Sequence, residues 1–228
     1  LKLDPDDLER TFGRERGARL AAWGGSAPDR VFELIERYGI PCHPVRTGWI
    51  QPAYTARSVA QVESRCAQWA ARGAPVDLLP HADLERMLGT GAFLAAWIDR
   101  RGGTINPLGF ARGLAVAAMR AGAAAHAHSP VQSLERAGKG WVARTARGAV
   151  RAAKVLVATA AYADDLVPGL RRSFVPVRTA QTASVPLPAH MAAAILPGRQ
   201  GASDTRRLLT SFRLSPDGRL VMGGSGAT

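Results

Sequence analysis

Two glycine-rich stretches come closest to known binding or catalytic motifs. Gly138–Ala143 (GKGWVA) spells GxGxxA, the pattern of a dinucleotide-binding turn. That chemistry needs a helix directly after the glycines, because the helix N-terminus binds the pyrophosphate. Here Trp141–Ala146 follows as a predicted strand, so we interpret the glycines as a hairpin turn. Gly223–Ala227 (GGSGA) nearly matches the GxSxG nucleophile elbow, but alanine replaces the last glycine and no acid–histidine pair follows.

The histidines and cysteines do not form a recognisable metal site. His126 and His128 would lie on one face of a predicted strand, a spacing that suits a metal, but no third ligand is near. Packed or surface histidines are the favoured interpretation, and Cys42-His43 between two prolines is no better candidate. Two cysteines, Cys42 and Cys66, are too few for a disulfide framework. With no signal-peptide pattern, we expect a cytoplasmic protein.

The net charge of +12 raises the question of a nucleic-acid partner. All but three of the 30 basic residues are arginines, scattered singly or in pairs, and no run of five or more occurs. A solvated surface is therefore favoured over a nucleic-acid-binding stripe. Arginine also suits anionic ligands, because its planar guanidinium binds carboxylates and phosphates. No apolar run approaches the roughly 20 residues that span a bilayer, so no membrane partner is expected.

The centre of the chain predicts a helix that leads into strands. Asn106 and Pro107 are typical of a helix start, apolar residues recur at helical spacing, and Gly122 ends the helix. Strands are predicted over Ala123–His128, Trp141–Ala146 and Ala149–Ala153. The apolar run Val155–Val157 predicts a strand buried on both faces. It leads to Thr159, Ala160 and Ala161, where small side chains would let a ligand approach the backbone.

The segments before Gly102 and after Tyr162 predict further helices and strands. The sequence shows no internal repeat and no low-complexity linker. Helices are expected to begin near Pro5, Ser58 and His81, and Gly24-Gly25 leaves open whether the first of them continues as one kinked helix or a second begins at Ser26. The predicted strands are Thr47–Thr55, Val76–Leu79, Phe93–Ile98, Phe174–Leu187, Leu208–Leu214 and Arg219–Met222. Ser215–Gly218 predicts a hairpin turn between the last two.

The order of several phrases is similar to a known family. GGTINPLGFARGLAVAAMRAGA, HSPV, VLVATAAY, VPVRTAQTASVPLP and DGRLVMGG occur in this order between Gly102 and Gly224. Together they resemble the FAD-dependent amine and amino-acid oxidoreductases of the D-amino-acid oxidase superfamily, and within it the gamma-glutamylputrescine oxidoreductase-like branch. The resemblance runs from about Leu8 to Gly224.

This resemblance implies a mixed α/β fold with part of a Rossmann-like FAD-binding domain that includes a β-meander. Residues 99–165 would be the second half of that domain, and residues 1–98 and 166–228 a discontinuous, antiparallel-sheet substrate domain. The phosphate-binding GxGxxG unit would precede Leu1, so we expect a fragment that is inactive alone. For FAD, the resemblance places Val131 at the adenine and Thr159, Ala160 and Ala161 at the phosphate and ribose side.

The implied activity is oxidation of an amine or amino acid to an imine, with dioxygen or another electron acceptor. Trp49, Tyr54, Arg178 and Gln181 lie on predicted substrate-domain strands and are candidates to line the cavity over the flavin ring. Gln51 shares the first of these strands. Arg178 could pair bidentately with a carboxylate. No catalytic base is evident. The alternatives are a basic nucleic-acid-binding module and an inactive structural subunit of the same fold.

Overall fold

The structure of the chain is a computed structural model that describes residues 3–225. Its helices are α1 (Pro5–Phe12), α2 (Arg14–Tyr38), α3 (Ala56–Ala70), α4 (His81–Leu88), α5 (Pro107–Arg120) and α6 (Ala189–Ala194). Its strands are β1 (Trp49–Ala53), β2 (Val76–Leu79), β3 (Ala95–Asp99), β4 (Ser133–Ala137), β5 (Gly140–Thr145), β6 (Gly148–Ala152), β7 (Thr179–Ala183), β8 (Gly201–Ser203), β9 (Ser211–Leu214) and β10 (Leu220–Ser225). Short 3₁₀ turns occur at Ala160–Tyr162 and Leu170–Ser173.

Local signals set most helix ends. Pro5 is the first residue of α1, as predicted, and Gly39 ends α2 in the left-handed conformation with φ 58°. Thr55 and Ser58 form a reciprocal capping box at the start of α3. The helix α2 is continuous through Gly25, which answers the question that the sequence left open. A β-carbon at Gly25 would lie 2.8 Å from the Trp69 ring, so this glycine permits close packing of α2.

Strands from both ends of the chain form one seven-stranded sheet. Its order is β2-β3-β1-β8-β9-β10-β7, and every neighbouring pair is antiparallel except β1 and β8. This confirms the predicted fold class, with the difference that the sheet is mixed. Pro52 within the predicted strand Thr47–Thr55 favours an edge strand or a bulge, whereas β1 lies inside the sheet. Its missing N–H is tolerated because β8 pairs only with Trp49 and Ile50.

Apolar layers cover both faces of the β2-β3-β1 half of this sheet. One layer joins the sheet to α4 and contains Ile50, Leu79, Leu84, Leu88, Phe93, Ala96, Ile98, Leu196 and Ala202. The other joins it to α3 and contains Ala53, Val62, Cys66 and Trp97. A third cluster packs α2 against the start of α5 and contains Phe32, Ile35, Ile40 and Cys42. Most of the buried apolar packing on this sheet therefore lies on its β2-β3-β1 half.

The chain divides into two compact units. The first comprises the residues up to Ala118 and those from Thr179 onward, and the second is Met119–Arg178. In the second unit, β4, β5 and β6 form an antiparallel meander. Gly138, with φ 61°, lies in the β4–β5 hairpin, which confirms that the GxGxxA spelling is a turn.

Three predicted strands differ in the structure. Val155–Val157 forms no strand, and Leu156 is 91% exposed, because no strand among residues 3–225 pairs with it. Ala123–His128 is irregular and ends with His128 at φ 52°, a turn conformation. The meander begins instead with β4, which starts at Ser133. Phe174–Leu187 shortens to β7, because its prolines cannot donate ladder hydrogen bonds.

The rejected motifs gain no support in the described part of the chain. No group of three or more His, Cys, Asp or Glu residues in residues 3–225 could hold a metal ion. Cys42 and Cys66 are free and buried. Gly226 and Ala227 of the near-GxSxG match lie outside the described residues. Within residues 3–225, no helix is long and apolar enough to cross a membrane.

Candidate functional site

In the β8-β9-β10-β7 half of the seven-stranded sheet, which we call the open half, one face carries small and polar residues. Strand register places Trp49 beside Gly201, Ser203 beside Ser211, and Gly223 between Ser211 and Gln181. Because side chains alternate along a strand, these residues share a face. Together with Thr104 and Arg213 they line a cavity of about 260 Å³ in the first unit, which we call the tryptophan cavity.

Glycines make the floor of the tryptophan cavity. A β-carbon at Gly201 would lie 2.9 Å from the Thr104 methyl group. One at Gly223 would lie 2.8 Å from Ser211 Oγ and 3.3 Å from Gln181 Cγ. All three distances are shorter than ordinary packing contacts, so side chains here would displace the cavity wall. The cavity therefore depends on glycine at these two strand positions.

A hydrogen-bonded chain of side chains holds Trp49 in place. Trp49 Nε1 donates to Ser203 Oγ at 2.9 Å, and its ring meets Trp97 edge to face with centroids 5.8 Å apart. Trp97 Nε1 donates to Gln51 Oε1 at 3.0 Å, and Arg65 donates to the same oxygen. Gln51 Oε1 thus accepts hydrogen bonds from two side chains, the buried Trp97 and the half-buried Arg65. These bonds explain why a polar residue is buried here without a bound ligand.

The loop of residues 102–105, between β3 and α5, forms another wall of the tryptophan cavity. Thr104 exchanges backbone hydrogen bonds with Val45, at 2.9 and 2.8 Å, and Gly48 N donates to Gly102 O at 3.1 Å. A β-carbon at Gly103 would lie 2.2 Å from Val45 O, so only glycine fits there. These contacts fix the loop against the sheet beside Trp49.

A second cavity adjoins the first at Thr104 and Arg213. It has a volume of about 330 Å³ and is also lined by His43, Arg199 and Asp217; we call it the arginine cavity. Asp217 is engaged already, because Arg219 Nε lies 2.6 Å from its carboxylate and Ser215 Oγ donates to it. The Ser215 and Arg219 hydrogen bonds hold the pKa of Asp217 below its ordinary value of 3.8.

Of the four predicted substrate residues, two line the tryptophan cavity. Trp49 and Gln181, 132 positions apart in the chain order of the sequence, meet there through the sheet. Tyr54 lies outside it, with the Arg206 guanidinium 4.7 Å from its ring centroid. Arg178 is exposed at the end of the second unit and forms no ion pair within residues 3–225. Their role in binding substrate stays a prediction.

The predicted cofactor residues belong to the second unit. Val131 is half-buried just before β4, and Thr159, Ala160 and Ala161 are exposed. Ala160 has φ 46°, in the left-handed region that favours glycine. Small side chains on exposed backbone leave room for an extended group such as a dinucleotide to approach. This fits a cofactor contact, and the contact itself stays a prediction.

Sequence reasoning missed Arg213, Ser203 and Ser211. One signal was present for two of them: the Ser215–Gly218 turn sets the register of β9 and β10, and Ser211 and Arg213 then alternate onto one face. Ser203 could not be found, because the three-residue strand β8 had no recognisable pattern.

The sequence of the chain matches a known protein family. The chain belongs to the DAO family of FAD dependent oxidoreductases, which matches residues 6–228. Gamma-glutamylputrescine oxidoreductase of Escherichia coli (strain K12) is 30% identical over 223 residues, covering 97% of this chain and 52% of the relative. The chain thus spans about half the length of that curated relative.

Solved structures share the fold at lower identity. Glycine oxidase from Geobacillus kaustophilus superposes with a TM-score of 0.71 at 22% identity, over 92% of this chain and 56% of that one. L-proline dehydrogenase from P. horikoshii gives 0.69 at 16%, over 88% and 54%. FAD is the cofactor of this family. These comparisons give no support to a nucleic-acid-binding module or an inactive structural subunit.

Proposed function

We propose that the chain forms part of an FAD-dependent oxidoreductase that oxidises an amine or amino acid to an imine, with dioxygen or another compound as electron acceptor. The observation that carries this proposal is the tryptophan cavity, in which Trp49 and Gln181 meet over a glycine floor in a member of this family. The names of its relatives, a gamma-glutamylputrescine oxidoreductase and a glycine oxidase, support a small amine or amino acid as substrate.

The cavity residues would bind and orient the substrate. Trp49 offers an apolar surface whose position is fixed by Ser203, and Gln181 offers an amide that can donate to or accept from a polar substrate group. The chemistry that FAD would supply is acceptance of a hydride from the carbon that bears the amine, while the amine nitrogen would lose a proton as the imine forms. Packing around the cavity would exclude water from the reacting carbon.

We propose that residues 99–165, which include most of the second unit, belong to the FAD-binding domain, and that residues 1–98 and 166–228 form the substrate domain. Val131 would contact the adenine, and Thr159, Ala160 and Ala161 the phosphate and ribose side. Residues 3–225 contain no GxGxxG followed by a helix, so we expect the chain alone to bind FAD weakly and to be inactive. Two free, buried cysteines support the cytoplasmic location that we also propose.

The test uses the protein as its complete gene encodes it. Purified protein should contain FAD, and a panel of amines and amino acids should bleach its flavin absorbance under anaerobic conditions. Trp49→Phe removes the donor to Ser203 and should raise KM for the substrate. Trp23→Phe is the matched control, because Trp23 is 77% exposed. A flavin-free protein, or a flavin that no amine reduces, would overturn the proposal.

A further inference from the structure

Of the charged residues on α3, only Arg65 is drawn into the interior of the first unit. Arg57 and Glu63 are exposed, whereas the Arg65 side chain is 14% exposed. Val62 and Cys66, on the same face of the helix, belong to the buried apolar layer against the sheet. A cation here is partly desolvated, and an apolar side chain in such a place is often equally or more stabilising. Packing alone therefore does not explain a charge at this position.

A carboxylate at the start of α1 fixes the direction of the Arg65 guanidinium. Arg65 Nε and Nη2 donate to the two carboxylate oxygens of Asp4, the second at 3.3 Å, and the Asp4 side chain is 17% exposed. Since the guanidinium is planar and rigid, this two-point contact on one edge sets the direction of the remaining nitrogen, Nη1. That nitrogen donates to Gln51 Oε1.

Arg65 and Trp97 together decide which way the Gln51 amide points. Trp97 Nε1 donates to the same Gln51 oxygen at 3.0 Å. A glutamine amide has almost the same shape when it is turned by 180°, so its hydrogen bonds decide where the oxygen lies. Two donors that meet at one position require the oxygen there, because the NH₂ group only donates. Loss of Arg65 would remove one of the two bonds that hold this orientation.

Trp97 carries this orientation to the wall of the tryptophan cavity. The Trp97 and Trp49 rings meet edge to face, with an interplanar angle of 87° and centroids 5.8 Å apart. This contact depends on the angle between the rings, because the positive edge of one ring meets the negative face of the other. Trp49 lines the tryptophan cavity, and Arg65 does not. The route from Arg65 to that cavity therefore runs through Gln51 and the two tryptophans.

We propose that Arg65, held by Asp4, is a positioning residue for substrate binding. It fixes the Gln51 amide and, through Trp97, the angle of the Trp49 ring in the tryptophan cavity. This rests on the proposed amine oxidation, in which Trp49 binds the substrate. In this role Arg65 contacts neither substrate nor flavin.

The test uses the flavin-containing protein that the complete gene encodes. Arg65→Met keeps an unbranched side chain and removes its donors. We expect KM for the best substrate of the amine and amino-acid panel to rise about three- to tenfold, with kcat changed less than about twofold, because a misoriented Trp49 weakens binding of substrate and transition state alike. The near-ultraviolet circular dichroism of the tryptophans should also weaken, and this measurement does not depend on activity. Arg65→Lys keeps the charge without the rigid fork, so it should recover stability more than KM.

Two matched variants separate positioning from a loss of stability. Arg57→Met makes the same change at an exposed residue of α3 and should leave KM and the dichroism unchanged. Leu84→Ala destabilises the core on the other face of the sheet. Measured well below its melting temperature, it should be less stable without a rise in KM.

A double-mutant cycle shows whether Arg65 acts through Gln51. If it does, Arg65→Met and Gln51→Met combined should raise KM no further than the larger of the two single effects. Effects that multiply, or an Arg65→Met protein with the KM and dichroism of the original, would overturn this inference. If no amine reduces the flavin, the proposed function is wrong, and the dichroism of Arg65→Met still decides whether Arg65 orients the tryptophans.

Discussion

The two halves of the seven-stranded sheet have different tasks. In the β2-β3-β1 half, Ala96, Trp97 and Ile98 are at most 2% exposed, and helices cover both faces. In the β8-β9-β10-β7 half, all of β7 is exposed, and the face beside Trp49 carries glycines, serines and single polar side chains, with Val221 among them. One half stabilises the fold through burial, and the other leaves room for a ligand. Substitutions in the two halves should therefore affect different measurements.

The largest effect is expected in the covered half. Leu84 on α4 is fully buried, so Leu84→Ala leaves a cavity in the core and should lower the free energy of unfolding by about 2–5 kcal/mol. Leu78→Ala is the matched control, because Leu78 is 46% exposed; it should cost under about 1 kcal/mol. Urea unfolding of both variants checks the difference. Equal losses would contradict the assigned core.

The next effect lies where the two halves meet. Gln51→Met removes the acceptor of Trp97 Nε1 and Arg65, so the free energy of unfolding should fall by about 1–3 kcal/mol. The near-ultraviolet circular dichroism of the Trp49–Trp97 pair should weaken too, because Trp97 orients Trp49. The control is Gln61→Met, an exposed change on α3 that has no side-chain hydrogen bond within residues 3–225. An unchanged dichroism spectrum in Gln51→Met would show that the network does not position Trp49.

In the open half, we expect a loss of function larger than the loss of stability. The β-carbon of Gly223→Ala meets Ser211 Oγ, so the cavity wall must shift and kcat/KM for the substrate should fall. The free energy of unfolding should fall by only about 1 kcal/mol, the lower end for an added methyl group, because the Ser211 side chain can rotate away. Gly148→Ala adds the same methyl group where nothing lies within 4 Å, and should change neither quantity. A fully active Gly223→Ala would show that the tryptophan cavity does not hold the substrate.

The smallest effect concerns pH. Burial, with a smaller contribution from the charge of Asp77, raises the pKa of Cys66 above its ordinary value of 9.0. The unfolded thiol then ionises at lower pH than the folded one, so unfolding becomes easier as the pH rises above about 9. Below that pH both states are protonated and this contribution to stability is fully present. Cys66→Ala should weaken the decline in melting temperature between neutral and alkaline pH, and identical declines would contradict the burial of the thiol.

Local signals predicted the fold well where a few neighbouring residues decide the structure. Pro5, Gly122 and the Ser215–Gly218 turn act within one turn of chain, and each lies where the sequence predicted. Val155–Val157 shows the opposite case. Its apolar pattern predicts a buried strand, but a strand also needs neighbours, and no pairing strand is present within residues 3–225. Pattern predicts the propensity of a segment, and pairing determines whether it is realised.

The sequence by itself determined the family resemblance, the mixed α/β class, the discontinuous sheet and the candidate role of Trp49 and Gln181. These depend on motif order and on the alternation along single strands. Only the tertiary structure distinguished Arg213 from the other arginines. In the sequence, Arg178 and Arg213 are equally plausible carboxylate ligands, because each lies on a predicted strand. The pairing of strands distant in the chain places Arg213 beside both cavities, whereas Arg178 is exposed on the second unit.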